Sequence, residues 1–249
     1  MSQWHEQDAF WTRWAPFLFH QRRWDQAPEE IANIISLLKM PPGASVLDLC
    51  CGTGRHSLQL ARLGFSVTGV DRTRPYLDEA RKRAQVERLK VEFIQGDMRS
   101  FCKPNAFDVA LNLFTSFGYF EDINDDKKVA ANVYHSLKDT GVFLIDTIGK
   151  EVLARIFRER DWYEVNGILV LQERKLCKDW SWIENRWIML KEGTCNEYKI
   201  SHRLYSAAEL GKLLNDCGFT TIEVYGDLTG APYDHTAKRL VVVARKGQE

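Results

Sequence analysis

Short apolar runs that alternate with helical stripes organise most of the chain. The first run, residues 45–50, stops at a glycine-bearing turn (52–54), and a helical pattern follows it. Similar apolar runs, mostly followed by helical stripes, lie at 65–70, 91–94, 107–113 and 141–145. Helices are predicted over 54–63, from Pro75 to about residue 87, and over 122–138. Five such units predict a parallel, doubly wound α/β sheet.

The N-terminal region has a different pattern, rich in aromatic residues. Phe10, Trp14, Phe17 and Leu18 fall on one face of a predicted helix. That face either packs on the core or forms a lid over a pocket. A second helix is predicted to begin at Pro28, because proline and acidic residues favour the first turn.

The alternation of strands and helices is interrupted between residues 148 and 205. A short helical piece (151–160) precedes four segments with strand character, and Asn166-Gly167 is a hairpin signal. The segments are 161–166, 168–176, 181–190 and 195–205. Consecutive strands without helices are antiparallel, which predicts a small antiparallel sheet inserted after strand five. A capping box at 206–209 then opens a helix, and strands at 220–224 and 240–244 should pair as a hairpin.

Composition narrows the function classes. The 249 residues carry 34 Lys+Arg and 34 Asp+Glu, which argues against a large electropositive surface for nucleic acid. No apolar run approaches the length of a membrane span, and the N-terminus has no signal-peptide pattern. The six cysteines show no metal-ligand spacing, so no metal site is expected. A cytoplasmic protein with reduced thiols is the expectation.

The glycine turn predicts a small-ligand site, because Gly52 and Gly54 let a ligand approach bare backbone. Asp71, at the end of strand two, suits ribose hydroxyls in either a dinucleotide site or an S-adenosylmethionine (SAM) site. Asp48, before the turn, repels a pyrophosphate and attracts a cationic ligand. Asp97, after strand three, suits an adenine amine. The final hairpin is also not the ending of a dinucleotide fold.

At these residues the chain resembles the class I SAM-dependent methyltransferases. Their motif, two hydrophobic residues, Asp/Glu and then alternating glycines, stands here at 46–54, with Cys50 replacing the first glycine. The resemblance covers 44–147 and 206–245 and implies a Rossmann-like sheet of seven strands, the last antiparallel. It implies these cofactor-binding residues: Asp48, Cys50, Gly52, Thr53, Gly54, Asp71, Arg72, Asp97, Met98, Asn112, Leu113 and Phe114.

The domain organisation follows from the same resemblance. Residues 1–147 and 206–249 form the SAM-binding domain, with 1–40 as a helical lid, and 148–205 cover the substrate. The stretch 114–120 is similar to the loop after strand four in glycine and amino-sugar N-methyltransferases, which implies a small-molecule acceptor with an N or O nucleophile.

Methyl transfer from a sulfonium is an in-line SN2 displacement that needs a base only if the nucleophile arrives protonated. Tyr119 and His202 are the candidate catalytic residues, and His20, Tyr233 and His235 are further polar candidates. Each has an alternative role in packing or at the surface. Arg22 and Arg23 are candidates for the SAM carboxylate.

Other interpretations stay open at this point. They are methylation of a macromolecule, a non-catalytic SAM-binding regulator and an NAD-dependent oxidoreductase. The oligomeric state and the identity of the acceptor are not determined by the sequence.

Overall fold

Two β-sheets form the framework of the computed structural model, which describes residues 3–165 and 167–247. The larger sheet has the strand order β10 (Thr221–Tyr225), β11 (Leu240–Arg245), β5 (Leu137–Thr147), β4 (Phe107–Asn112), β1 (Ser45–Leu49), β2 (Ser66–Asp71) and β3 (Val91–Gln95). Neighbours from β5 to β3 are parallel, whereas β11 is antiparallel to both β5 and β10. The predicted fold class is confirmed.

Helices cover both faces of this sheet, as alternating side chains require. The helices are α1 (Asp8–Leu18), α2 (Gln21–Leu38), α3 (Arg55–Arg62), α4 (Arg74–Val86), α5 (Ile123–Ser136), α6 (Lys150–Ile156) and α7 (Ala207–Asp216), with a 3₁₀ turn at Trp4–Glu6. Successive residues of a strand point to opposite faces. Val46 therefore packs with Ile31 and Ile34 of α2, whereas Leu47 packs in the core that holds α5 and α7. Within the described residues, no helix is both long and apolar enough to cross a membrane.

The predicted start of the second helix is wrong. The second helix begins at Gln21 rather than at Pro28, which lies inside the helix. Proline lacks an N–H donor and is tolerated best in a first turn, but it does not require one. The buried stripe of α2 begins at Ala27, so packing holds the helix together on both sides of the proline.

The inserted sheet is an antiparallel meander between α6 and α7. Its strands are β6 (Arg160–Val165), β7 (Ile168–Cys177), β8 (Trp182–Lys191) and β9 (Thr194–Arg203). Of the predicted hairpin signal, Asn166 lies outside the described residues, and Gly167 has a φ of 71°. One face of this sheet packs on Phe10, Trp14 and Phe17 of α1.

Arg203 joins the inserted sheet to the loop that follows β4. Its backbone N–H donates to the Gly118 carbonyl at 2.7 Å, and its Nη2 donates to the Glu121 carbonyl at 2.6 Å. Its Nε lies 3.3 Å from Oδ2 of Asp126, which also accepts a hydrogen bond from the Tyr205 hydroxyl at 2.6 Å. Asp126 is fully buried, so this link carries a charge into the core.

Asp126 should make stability depend on pH. Burial raises the pKa of its carboxyl from 3.8 to about 6, so the folded state keeps a proton that the unfolded chain releases. The wild type therefore loses stability as pH rises from about 4 through 6. Asp126→Asn stays neutral and still accepts from Tyr205, so its melting temperature relative to wild type should rise between pH 4.5 and pH 7.5. Thermal unfolding at both pH values measures this.

The control is Asp139→Asn, which removes an exposed carboxylate near Lys246. Its difference from wild type is expected to change less over the same pH range. An Asp126→Asn difference that is the same at both pH values would contradict the prediction.

Candidate cofactor and active site

A cavity of about 910 Å³ lies at the carboxyl edge of the parallel strands. Its floor is formed by the turns that follow β1, β2, β3 and β4. Trp11, Trp14 and Phe17 of α1 form one wall, and side chains of β6 and β8 in the inserted sheet, including Trp187, complete the enclosure. This is where open α/β sheets hold their ligands.

The turn after β1 is built from left-handed residues. Cys50, Gly52 and Gly54 have φ of 66°, 56° and 81°. A Cβ on Gly54 would lie 3.0 Å from the Cβ of Ala80, so this glycine lets α3 pack against α4. A Cβ on Gly52 would lie 2.6 Å from the ring of Phe19, on the cavity side. Gly54 therefore allows two helices to pack closely, whereas Gly52 leaves room for the Phe19 ring.

Asp71 is held at the end of β2 by the backbone of two turns. The Gly52 N–H donates to Oδ2 and the Thr73 N–H donates to Oδ1, each at 2.8 Å. Burial raises the pKa of Asp71, and these two bonds oppose that shift. The carboxylate lines the cavity, so it is fixed in position with lone pairs left for a ligand.

Asp48 and Asp97 flank Asp71 along the same edge. Asp48 is buried and accepts a hydrogen bond from the Ser57 hydroxyl at 2.5 Å. Asp97 accepts from the backbone N–H, Nε and Nη2 of Arg99, at 2.8, 3.0 and 2.6 Å. Burial opposes ionisation of Asp97, but these bonds lower its pKa. Arg99 also bonds Glu6 at 3.0 Å, which ties the N-terminal segment to this end of the cavity.

The three carboxylates form a row that suits an elongated cationic ligand. They lie at or near the carboxyl ends of β1, β2 and β3, which are consecutive neighbours, and strands lie about 4.8 Å apart. The row therefore spans about 10 Å. This arrangement fits SAM. Asp71 is a fixed acceptor for ribose hydroxyls, Asp48 is an acidic group beside the glycine turn, and Asp97 is another after β3.

Most of the predicted site residues come together here, and a few do not. The cavity is lined by Asp48, Cys50, Gly52, Asp71, Arg72, Asp97, Met98, Leu113, Phe114 and Tyr119. Thr53, Gly54, Asn112 and His202 do not line it. The Thr53 hydroxyl and the Asn112 Oδ1 are buried without a hydrogen-bond partner among the described residues.

The candidate catalytic residues are separated. His202 lies on β9 opposite Ile183, and burial lowers its pKa to about 4. Tyr119 lines the cavity, with its ring 5.0 Å from that of Trp4. Burial raises the pKa of Tyr119, so its hydroxyl is neutral near pH 7. His20 and both Arg22 and Arg23 also line the cavity. Tyr233 and His235 do not, and the Tyr233 hydroxyl donates to Glu151 at 2.9 Å.

Several lining residues are not among the predicted site residues. They are His5, Phe19, Tyr76, Tyr163, Glu164, Trp187 and Arg239. The aromatic pattern near residues 4–24 points toward Phe19, and the strand pattern of the insertion points toward Trp187. Arg239 has no sequence signal, because it is a single arginine in the loop before the last strand.

Comparisons with known proteins show that the chain is similar to methyltransferases. Residues 46–141 match the methyltransferase domain family. A putative methyltransferase of Geobacillus sp. is 25% identical over 81% of this chain and 84% of its own. A glycine/sarcosine N-methyltransferase of Aphanothece halophytica is 26% identical over 85% of this chain and 80% of its own. The structure of a SAM-dependent methyltransferase from Clostridium acetobutylicum superimposes with a TM-score of 0.80 at 18% identity, covering 96% and 98% of the two chains.

Proposed function

The chain belongs to the SAM-dependent methyltransferases, and we propose that its methyl acceptor is a small molecule with a nitrogen or oxygen nucleophile. The observation that carries this proposal is the enclosure of the site. One cavity holds the cofactor carboxylates, and α1 and the inserted sheet wall the rest of it. A protein or nucleic-acid acceptor would need an open groove in place of these walls. The glycine/sarcosine N-methyltransferase relative also supports a small acceptor.

Asp71, Asp97 and Asp48 are proposed to hold the cofactor. Asp71 would accept from the ribose hydroxyls, Asp97 would accept from the adenine amine, and Asp48 would attract the ammonium of the methionine part. When bound, SAM supplies a methyl group attached to a sulfonium, which is a good leaving group. The residues of the chain then have to align the acceptor and exclude water.

The acceptor side of the cavity is lined mainly by aromatic rings. Trp11, Trp14, Trp187 and Tyr119 present large apolar surfaces that exclude water. Because burial keeps the Tyr119 hydroxyl neutral, we assign it to orienting the nucleophile rather than to taking its proton. Burial, with the neighbouring Arg23 charge, lowers the pKa of His20, so this imidazole is neutral near pH 7 and can accept a proton.

Transfer of labelled methyl tests the proposal. Purified protein is incubated with SAM carrying a tritiated methyl group and with a cell extract split into a small-molecule fraction and a macromolecular fraction. We expect label in the small-molecule fraction. Asp71→Asn protein is the low-activity control, with the SAM concentration kept near the wild-type dissociation constant, because SAM binding should be strongly weakened in that variant.

Two results would overturn the proposal. The first is label that appears in protein or RNA and is absent from small molecules. The second is SAM binding, measured by calorimetry on the same sample, without transfer into either fraction.

A further inference from the structure

Three guanidinium groups surround the ring of Phe114 on the cavity wall. The Cζ atoms of Arg55, Arg23 and Arg239 lie 4.1, 5.1 and 5.7 Å from the ring centroid. The His56 ring also stacks on Phe114, at 5.6 Å between centroids. Three like charges around one ring repel one another unless anions compensate them.

Two of these arginines have carboxylate partners. Arg55 pairs with Glu30, and the Nε of Arg239 donates to Oδ1 of Asp146 at 2.6 Å. Arg23 has no acidic partner among the described residues. The group therefore carries an uncompensated positive charge at the wall of the cavity.

Arg239 is rigidly placed and only partly used. Its backbone N–H donates to the Gly226 carbonyl at 2.8 Å, and its Nη2 donates to the Thr115 hydroxyl at 3.3 Å. With the bond to Asp146, two of its five N–H donors are occupied. Its side chain is 25% exposed and lines the cavity, so the remaining fork of donors is available to a ligand. A planar fork suits carboxylate or phosphate oxygens.

The backbone of Arg239 lies away from the three carboxylates. It directly precedes β11, which is separated from β1 by β5 and β4, and three strand spacings amount to about 14 Å. The guanidinium reaches back to the Phe114 ring, which Arg55 at the start of α3 also contacts. Arg239 therefore borders the part of the cavity between the glycine turn and β11, on the side away from Asp71 and Asp97, and we assign this part to the acceptor.

We propose that the methyl acceptor is an anionic small molecule, whose carboxylate or phosphate binds Arg239 with support from Arg23. This inference rests on the proposed function, since it names the chemical class of the acceptor. Arg239 is then a specificity-determining residue that positions the nucleophile by holding the far end of the acceptor.

Anion binding to the cofactor-loaded protein tests this directly. The protein is saturated with S-adenosylhomocysteine, so that the cofactor carboxylate is already in place. Trifluoroacetate is titrated and followed by fluorine NMR, and inorganic phosphate by phosphorus NMR. We expect saturable binding of one or both anions. Anion binding should weaken about tenfold in Arg239→Gln and severalfold in Arg23→Gln. The Arg23 substitution leaves no carboxylate unpaired.

The controls separate this role from stability and from cofactor binding. Arg245→Gln removes an arginine that pairs with Glu223 at 3.2 Å on the main sheet, and it should bind anions like wild type. Arg239→Lys keeps a cation beside Asp146 but loses the fork, so it should fold and bind with intermediate strength. The affinity for S-adenosylhomocysteine should be the same in all variants.

The outcomes are distinct. Anion binding that is seen in the cofactor-free protein but is absent once S-adenosylhomocysteine saturates the protein would assign the arginines to the cofactor carboxylate and overturn the inference. Wild-type anion binding in Arg239→Gln and Arg23→Gln would also overturn it. If the transfer assay labels no small molecule, the proposed function fails, but the anion-binding result stands by itself. If the assay labels a small molecule, the labelled product should be retained on an anion-exchange column.

Discussion

Asp71→Asn is expected to weaken SAM binding about 30-fold or more, because we propose that this residue contacts the cofactor and because it also holds the glycine turn after β1. Both of its oxygens accept backbone N–H groups, from Gly52 and Thr73. An asparagine has one oxygen and one NH₂, so one of these N–H groups must face another donor. Loss of a hydrogen bond to a charged group costs about 1.5–3 kcal/mol, or about 10- to 150-fold in affinity.

Titration calorimetry with SAM measures this effect, and thermal unfolding checks that the variant is folded. Asp78→Asn is the matched control, since Asp78 is an exposed carboxylate on α4 that pairs with Arg81 at 3.0 Å. It should bind SAM like wild type. If the Asp71→Asn protein kept the wild-type affinity for SAM, the assignment of Asp71 to the cofactor site would be contradicted.

The main sheet could be predicted because its signals are local. Each strand was visible as a short apolar run, and a glycine turn or an acidic residue marked where several strands ended. Parallel strands place their carboxyl ends at one edge, so the order of Asp48, Asp71 and Asp97 along the chain became a row in space. The start of α2 was not predictable in this way. A proline is common in a first turn, and the helical residues before Pro28 have only one buried side chain, Ala27, so no apolar stripe marks the earlier start.

The acceptor side depends on pairings between distant residues, which a single sequence does not show. Arg239 and Asp146 are 93 residues apart. His202 illustrates the same difficulty within the inserted sheet. It lies on the face that also carries Trp187, but β8 and β9 pair Trp187 with Tyr198 and Ile183 with His202. Four residues along a strand is about 13 Å, which separates His202 from the cavity that Trp187 lines.

The contact between Gly52 and Phe19 links the N-terminal segment to the glycine turn after β1, and substitution of Gly52 should have the second large effect. A left-handed φ alone does not exclude a side chain, because Cys50 in the same turn carries one at a φ of 66°. At Gly52 a Cβ would lie 2.6 and 2.8 Å from two atoms of the Phe19 ring. That ring is also held edge-on by Tyr76, with 4.9 Å between centroids. The steric conflict therefore falls on a ring that is already packed.

Gly52→Ala should destabilise the protein by about 2 kcal/mol, from left-handed strain plus overpacking. In a chain of this size that corresponds to a fall of roughly 4–8 °C in melting temperature. Phe19→Ala in the Gly52→Ala background should recover the part of the stability loss that comes from the steric conflict, but not the part from backbone strain. The stability losses of the two substitutions should therefore not be additive. Thermal unfolding of the two single variants and the double variant measures the coupling. Additive losses would show that Phe19 does not rest on the turn, and the N-terminal segment would then have no direct contact with the cofactor cradle at Gly52.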